Sequence, residues 1–227
     1  LADASIEVGS VNLTLGRLQQ AEKTLLRGRE LFRSLVGRDP GNVDYRIGLT
    51  TISLQRGFVA TRSGEHQRAI WHYSQGIEIV EATTNRHLDN VANQVLLVTL
   101  LSERAMRTFD LAERKPAIHD LDRAFAIVQK LQTAHPQQKD IMVAAAITFS
   151  KYAHIYGIEG RSDDAIRFYK DAQAIYQRLL ENDPDNLDYQ NRCADLIANI
   201  GANMESESGI DYLLEAVNLR EQILSMH

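Results

Sequence analysis

The amino-acid sequence repeats itself at a constant step of 48 residues. Small residues carry the repeat most clearly: Gly9, Gly16, Ala21 and Gly28 return as Gly57, Gly64, Ala69 and Gly76, and alanines continue as Ala105, Ala117 and Ala124, then as Ala153, Ala165 and Ala172. A fifth copy begins at Gly201 and departs from the step at Leu213, where alanine is expected. A register kept through four copies without an insertion predicts a protein built from stacked, similar structural elements.

Each repeat contains the pattern of two helices. In the second helix of the second repeat, apolar or small residues recur at three- and four-residue steps and form one stripe: Ala69, Ile70, Tyr73, Gly76, Ile77 and Val80. The chain is therefore predicted to be all-α. We expect ten helices near residues 2–15, 17–37, 42–62, 65–86, 89–111, 114–134, 138–158, 162–182, 186–204 and 209–226.

Asparagine residues indicate where some of these helices begin, and glycine residues indicate the turns between them. Asn42, Asn90 and Asn186 are predicted N-caps, and Gln138 takes the corresponding place as a poorer cap. Gly64 and Gly160 are expected in the tight turns between the two helices of a repeat. Small residues midway along each first helix, such as Gly57 and Gly201, are expected where the second helix approaches closely.

The spacing of these small residues resembles the tetratricopeptide (TPR) family. Two sets show the family pattern: Gly57, Ala69 and Gly76, and Ala153, Ala165, Ala172 and Pro184. The usual TPR unit has about 34 residues, and the longer repeat here looks like those of TPR regions attached to bacterial serine/threonine kinases and related sensor proteins. The resemblance implies an α-solenoid, a right-handed superhelix of about five antiparallel helix pairs. The repeats would occupy residues 1–41, 42–89, 90–137, 138–185 and 186–227 of a single domain.

Composition narrows the possible partners. The net charge of -5 and the lack of a basic run argue against nucleic-acid binding, because phosphate contacts need clustered Lys and Arg. We find no apolar run long enough to predict membrane insertion. The only cysteine, Cys193, is predicted to be a small core residue. Because the chain begins with Leu1 inside a predicted helix, we expect a segment of a longer protein, and we expect it in the cytoplasm.

No pattern in the sequence predicts catalysis. The spacing of His66 and His72 does not place them on one helical face as zinc ligands of a helix require. Phosphate-binding, nucleophile and CxxC motifs are missing from the sequence. We therefore predict no catalytic residue, no metal site and no cofactor, and we expect that the protein is not an enzyme.

The resemblance implies a concave groove lined by the first helix of each repeat. Its predicted peptide-binding residues are Thr51, Leu54, Gln55, Phe58, Arg62, Thr99, Ser102, Met106, Ile147, Ser150, Lys151, His154, Asn199 and Asn203. The amides of Asn199 and Asn203 are expected to hold a peptide backbone. A clamp for a C-terminal carboxylate is disfavoured, since only Lys151 is basic at the four relevant positions. Trp71, on a second helix, is expected to pack between repeats.

These observations leave two functional hypotheses. The first is a regulatory protein-protein interaction module that binds a peptide or a partner domain in the groove, anchored by apolar side chains. The alternative is a structural scaffold that self-assembles, forming a homodimer through the ends of the solenoid, because an end exposes the apolar face that a further repeat would cover.

Overall fold

The computed structural model describes residues 1–84 and 90–225, and this part of the chain contains ten helices and no strand. The helices are α1 (Ala2–Thr14), α2 (Leu18–Arg38), α3 (Val43–Arg62), α4 (His66–Thr84), α5 (Val91–Asp110), α6 (Arg114–Ala134), α7 (Lys139–Ile158), α8 (Ser162–Asn182), α9 (Leu187–Ala202) and α10 (Glu207–Ser225). The all-α prediction and the ten predicted helices are confirmed. The predicted helix ends at 86, 89 and 226 lie outside the described residues.

The chain divides into two compact units, residues 1–127 and 128–227. In the N-terminal unit, α1 packs on α2, α2 on α3, α3 on α4 and α4 on α5, and the first helices α1, α3 and α5 also contact one another in sequence order. In the C-terminal unit, α7 packs on α8, α8 on α9 and α9 on α10. Consecutive antiparallel helices therefore form each unit. That all repeats belong to one domain stays a prediction.

The predicted N-caps begin their helices as expected. The side-chain oxygens of Asn42, Asn90 and Asn186 each accept a hydrogen bond from the backbone N–H three residues on, at 3.0–3.2 Å. This bond satisfies one of the donors that the first turn of a helix leaves unpaired. Gln138 makes no side-chain cap, which confirms that the fourth repeat begins with a poorer signal.

The turns inside the repeats share a left-handed backbone conformation at the same step of 48 residues. Gly16, Gly64 and Gly160 have φ of 69°, 73° and 73°. Ala112, 48 residues after Gly64, has φ of 63° although it carries a side chain. The turn therefore requires the left-handed conformation in each of these repeats, and the third repeat adopts it with alanine in place of the glycine that favours it.

Close packing explains the recurring glycine midway along the first helices. A Cβ at Gly57 would lie 2.1 Å from the Tyr73 ring of the partner helix α4. A Cβ at Gly201 would lie 2.7 Å from the backbone oxygen of Gly209, so α9 and α10 cross with no side chain between them. The expected close approach is confirmed at both positions.

The last helix, α10, is four residues out of register, whereas α9 begins in register at Leu187. The helix α9 ends at Ala202, whereas a step of 48 from the end of α7 would place its end at residue 206. The buried positions of α10 accordingly follow those of α8 at a step of 44: Gly209, Ala216 and Ile223 after Ala165, Ala172 and Leu179. This shorter turn explains why Leu213 occupies the position expected for alanine.

Two single-residue expectations have opposite outcomes. Cys193 is 5 % exposed, and burial raises the pKa of its thiol to about 11, so it is a core residue as predicted. Trp71 is 51 % exposed and rests edge-on against the His72 ring at 4.8 Å. The prediction that Trp71 packs between repeats is wrong, because the neighbouring His72 takes the buried place.

Among the described residues, one helix, α7, is long and apolar enough to cross a membrane by length and composition alone. Half of this apolar window is buried inside the protein. Charged residues interrupt this helix at Lys139, Asp140 and Lys151, so it holds no continuous apolar run of that length. The burial gives the apolar residues of α7 a packing role against α8.

Candidate functional site

Four of the predicted groove residues are covered in the N-terminal unit. Leu54 and Gln55 of α3 are 8 % and 9 % exposed, and Ser102 and Met106 of α5 are 0 % and 4 % exposed. Their helices have first-helix neighbours that contact them directly. These four side chains line no open surface in this structure, so the predicted site must be corrected by removing them.

The other predicted groove residues of the N-terminal unit are engaged locally. The hydroxyls of Thr51 and Thr99 donate to backbone carbonyls four residues earlier, at 2.9 and 3.0 Å. The guanidinium of Arg62 donates to the backbone oxygen of Leu13 near the end of α1, where the negative end of the helix dipole favours a cation. Phe58 is only partly buried. Thr51, Phe58 and Thr99 are partly exposed and Arg62 is exposed, so peptide binding by these four residues stays a prediction.

In the C-terminal unit the predicted residues of α7 are more accessible. Ile147, Ser150 and Lys151 are partly exposed, and His154 is exposed. Residues 147, 151, 154 and 158 lie on one side of a helix with 3.6 residues per turn. The exposed fraction of Ile158 is 61 %, which is large for an isoleucine. An apolar end therefore adjoins the polar part of this surface.

A glycine of α7 leaves room for Asn203, the residue that follows α9. A Cβ built at Gly157 would lie 2.6 Å from the Oδ1 atom of Asn203, so the asparagine side chain occupies the space that a larger residue would fill. The Nδ2 group of Asn203 donates to the backbone oxygen of Asn199 at 2.8 Å. Asn199 is exposed. Asn203, the C-cap residue of α9, thus lies at the end of α7, and Asn199 lies one turn earlier on α9. Gly157 falls outside the 48-residue set of small residues, so the repeat gives no sequence signal for it.

We call this region the α7–α9 surface, formed by Ile147, Ser150, Lys151, His154, Ile158, Asn199 and Asn203. It combines aliphatic side chains, a cation, an imidazole and two amides. Such groups can bind a peptide through apolar anchors and through hydrogen bonds to its backbone.

Aromatic contacts hold α7 in place on α8. The rings of Tyr152 and Phe168 are stacked, with centroids 5.2 Å apart and an angle of 15° between the planes. Tyr152 also stacks on Tyr156 at 5.9 Å, and the guanidinium of Arg161 lies 4.0 Å from the centre of the Tyr156 ring. These contacts give the α7–α9 surface a rigid support.

Buried charges in the N-terminal unit serve packing. Arg104 of α5 forms a bidentate pair with Asp120 of α6, at 2.7 and 2.8 Å. Burial and the charge of Arg56 lower the pKa of His72 to about 4, so this imidazole is neutral at pH 7.

Within residues 1–84 and 90–225, no group of three or more His, Cys, Asp or Glu side chains is arranged to hold a metal ion.

Comparison with known proteins finds no matching family model and no matching curated protein. The chain is similar to the crystal structure of BtubC (BKLC) from P. vanneervenii, with a TM-score of 0.66, 17 % identity and coverage of 96 % of this chain and 77 % of that one. It is also similar to a putative kinesin light chain of Podosopora anserina with nearly identical TPR-like repeats, with a TM-score of 0.56, 14 % identity and coverage of 97 % and 95 %. Together with the repeated helix pairs, these likenesses show that the chain has a TPR-like helical-repeat fold.

Proposed function

We propose that this protein is an interaction module that binds a peptide or a partner domain through the α7–α9 surface. The observation that carries the proposal is the exposure of Ile158 and His154 on one side of α7, beside the amides of Asn199 and Asn203. TPR-like folds are in general non-enzymatic and serve interaction or scaffolding. We propose a regulatory role in the cytoplasm, by analogy with the TPR regions of bacterial kinases.

The chemistry of the surface favours a particular kind of peptide. Ile158 and Ile147 offer apolar contacts about 16 Å apart along the helix, since each residue of an α-helix rises about 1.5 Å. The amides of Asn199 and Asn203 can accept hydrogen bonds from a peptide backbone and can donate hydrogen bonds to it. An extended or helical segment with aliphatic anchors therefore fits this surface better than a strongly acidic one, because Lys151 supplies its only formal positive charge.

A displayed library of random peptides, selected on the native protein, tests this proposal. We expect enriched peptides with aliphatic anchors, and at least tenfold weaker binding to a variant with His154→Ala and Ile158→Asp. The matched control is Leu187→Asp, since Leu187 is a 39 % exposed apolar residue of α9 that lies outside the surface. Peptides that bind the double variant as well as the native protein would refute this site.

Self-assembly is the second candidate function, and exposed apolar side chains favour it. On α1, Val8 and Val11 are 49 % and 57 % exposed, and Leu15, the residue that follows the helix, is 56 % exposed. On α10, Ile210 and Leu214 are 58 % and 57 % exposed. Apolar residues exposed together on one helix are typical of a surface that a partner covers. We propose a scaffold in which the first and last helices mediate contacts between copies.

A further inference from the structure

The internal repeat indicates which residue would face each exposed position of α1 and α10. A residue of α1 corresponds to the residue 48 positions later in α3. A residue of α10 corresponds to the residue 140 positions earlier in α4, or 188 positions earlier in α2, because α10 is four residues out of register. Contacts between neighbouring repeats inside the N-terminal unit can therefore be transferred to the two ends of the chain.

The first such contact is the buried ion pair between α2 and α3. The guanidinium of Arg56 lies 2.7 Å from the carboxylate of Glu22. The residue of α1 that corresponds to Arg56 is Val8, and the residue of α10 that corresponds to Glu22 is Ile210. Val8 and Ile210 are both apolar, as Arg56 and Glu22 are both charged. Arg68, the second partner of Glu22, corresponds to the uncharged Gln20 of α2, so none of α1, α2 and α10 carries an unpaired charge at these positions.

The neighbouring contact between α4 and α5 gives the same result. Arg104 donates to the hydroxyl of Ser74 at 3.0 Å. Arg104 also corresponds to Val8, at a step of 96, while Ser74 corresponds to Leu214. Val8 would then lie between Ile210 and Leu214. The polar contact of Arg104 with Ser74 thus corresponds to an apolar pair, Val8 of α1 and Leu214 of α10.

A third match comes from the cavity of about 440 Å³ beside α2, which Leu26 and Val59 both line. Val59 corresponds to Val11, and Leu26 corresponds to Leu214. The inner residues Leu26 and Val59 and their counterparts Leu214 and Val11 are thus all apolar.

A charge pair between second helices supplies an independent match. Arg123 of α6 forms an ion pair with Glu81 of α4. The residue of α2 that corresponds to Arg123 is Arg27, and the residue of α10 that corresponds to Glu81 is Glu221. Both are exposed, and they have the signs that a pair requires. Arg27 of α2 and Glu221 of α10 thus carry the same opposite charges as the inner pair of Arg123 and Glu81.

We propose that α10 of one copy is covered by α1 and α2 of a second copy, in the way that each inner helix pair is covered by the next. The inference rests on the proposed scaffold function and specifies its geometry. Val8 and Val11 of one copy contact Ile210 and Leu214 of the other, and Arg27 pairs with Glu221. Because two different surfaces meet, every dimer keeps one free surface of each kind, and assembly continues beyond the dimer.

Two variants separate this arrangement from a symmetric dimer. Val8→Asp with Val11→Asp disables α1, and Ile210→Asp with Leu214→Asp disables α10. All four residues are at least 49 % exposed, so both variants should keep the native circular dichroism spectrum. Molar mass is measured by sedimentation equilibrium up to roughly 1 mM, where even a contact of about 4 kcal/mol is detected.

We expect the native protein to gain mass beyond a dimer, each variant alone to stay monomeric, and their equimolar mixture to form a dimer that grows no further. Arg27→Glu should weaken native assembly at least threefold, and Glu221→Arg in the same chain should restore it. A monomeric native protein at every concentration would overturn both the scaffold function and this geometry, and would leave the two surfaces to a different partner. Assembly of either variant alone, or a mixture that stays monomeric while the native protein assembles, would overturn the head-to-tail geometry only.

Discussion

Arg56 and Glu22 form a buried ion pair between two consecutive repeats, with a distance of 2.7 Å and side chains that are only 7 % and 17 % exposed. Glu22 also accepts from Arg68 at 2.6 Å. One carboxylate therefore compensates two guanidinium groups where α2, α3 and α4 meet. Burial raises the pKa of Glu22, but hydrogen bonding to Arg56 and the nearby positive charges outweigh burial and lower it. The carboxylate is thus ionised at neutral pH.

We predict that Glu22→Ala destabilises the protein by about 3 kcal/mol, because it leaves Arg56 buried without a counter-charge. Urea unfolding at pH 7 measures the change in the free energy of unfolding. Glu30→Ala is the matched control, since Glu30 pairs with Arg29 at 3.0 Å on the surface with 64 % of its side chain exposed, and its loss should cost at most about 0.5 kcal/mol. Equal effects of the two changes would contradict the structural role of the buried pair.

The buried imidazole of His72 makes stability depend on pH in a defined window. The folded pKa is about 4, below the ordinary value of 6.5. Between these values the unfolded chain binds a proton that the folded protein does not, so stability falls as the pH falls. We predict a loss of about 2 kcal/mol between pH 7 and pH 5.

Urea unfolding across that range measures this loss in the native protein and in two variants. His72→Asn should remove most of the slope. His119→Asn should keep it, because 72 % of the His119 side chain is exposed. A slope that survives in His72→Asn would show that His72 is not the group responsible.

The turn at Ala112 offers a stabilising change. A residue with a Cβ at φ of 63° is strained by about 1 kcal/mol relative to glycine. We predict that Ala112→Gly raises the free energy of unfolding by about 1 kcal/mol. Gly160→Ala should lower it by a similar amount, since nothing lies within 4 Å of a Cβ at that position and the effect is confined to the backbone. Two changes of the same sign in urea unfolding would contradict this explanation.

The repeat pattern predicted the helices, the caps and the close approaches, because those features depend on residues near one another in sequence. The burial of Ser102 and Met106 could not be predicted in the same way. Positions of identical phase differ: Met106 is buried and His154 is exposed. The difference depends on what packs against each helix. The left-handed turn at Ala112 could not be predicted, because alanine does not indicate a positive φ in the sequence as glycine does at Gly64.

The side-chain contacts between helices, both between repeats and within one repeat, were also beyond sequence analysis. The pair of Arg56 and Glu22 has no counterpart at the same positions elsewhere, since the residue 48 positions after Glu22 is Ile70. Tyr152 and Phe168 stack at the repeat positions that Arg104 and Asp120 fill with an ion pair. The fold conserves the geometry of these positions while their chemistry changes from repeat to repeat, so only the folded structure reveals which partner each side chain has.

The close approach of α3 and α4 at Gly57 yields the last prediction. A Cβ at Gly57 would lie 2.1 Å from Cε1 of Tyr73 and 2.5 Å from Cδ1, and Tyr73 is fully buried with its hydroxyl 3.0 Å from that of Thr61. We predict that Gly57→Ala lowers the free energy of unfolding by about 2 kcal/mol, since the ring cannot move without breaking its packing, and this cost exceeds the helix propensity that alanine gains.

Gly37→Ala is the matched control for Gly57→Ala. Gly37 also lies inside a helix, α2, but a Cβ added there would have no other atom within 4 Å, so alanine should be neutral or stabilising by about 0.5 kcal/mol. In the double variant Gly57→Ala with Tyr73→Leu, the smaller side chain should absorb part of the clash. The two single changes should then be less than additive. Strict additivity in urea unfolding would show that the glycine is required for a reason other than its contact with the tyrosine ring.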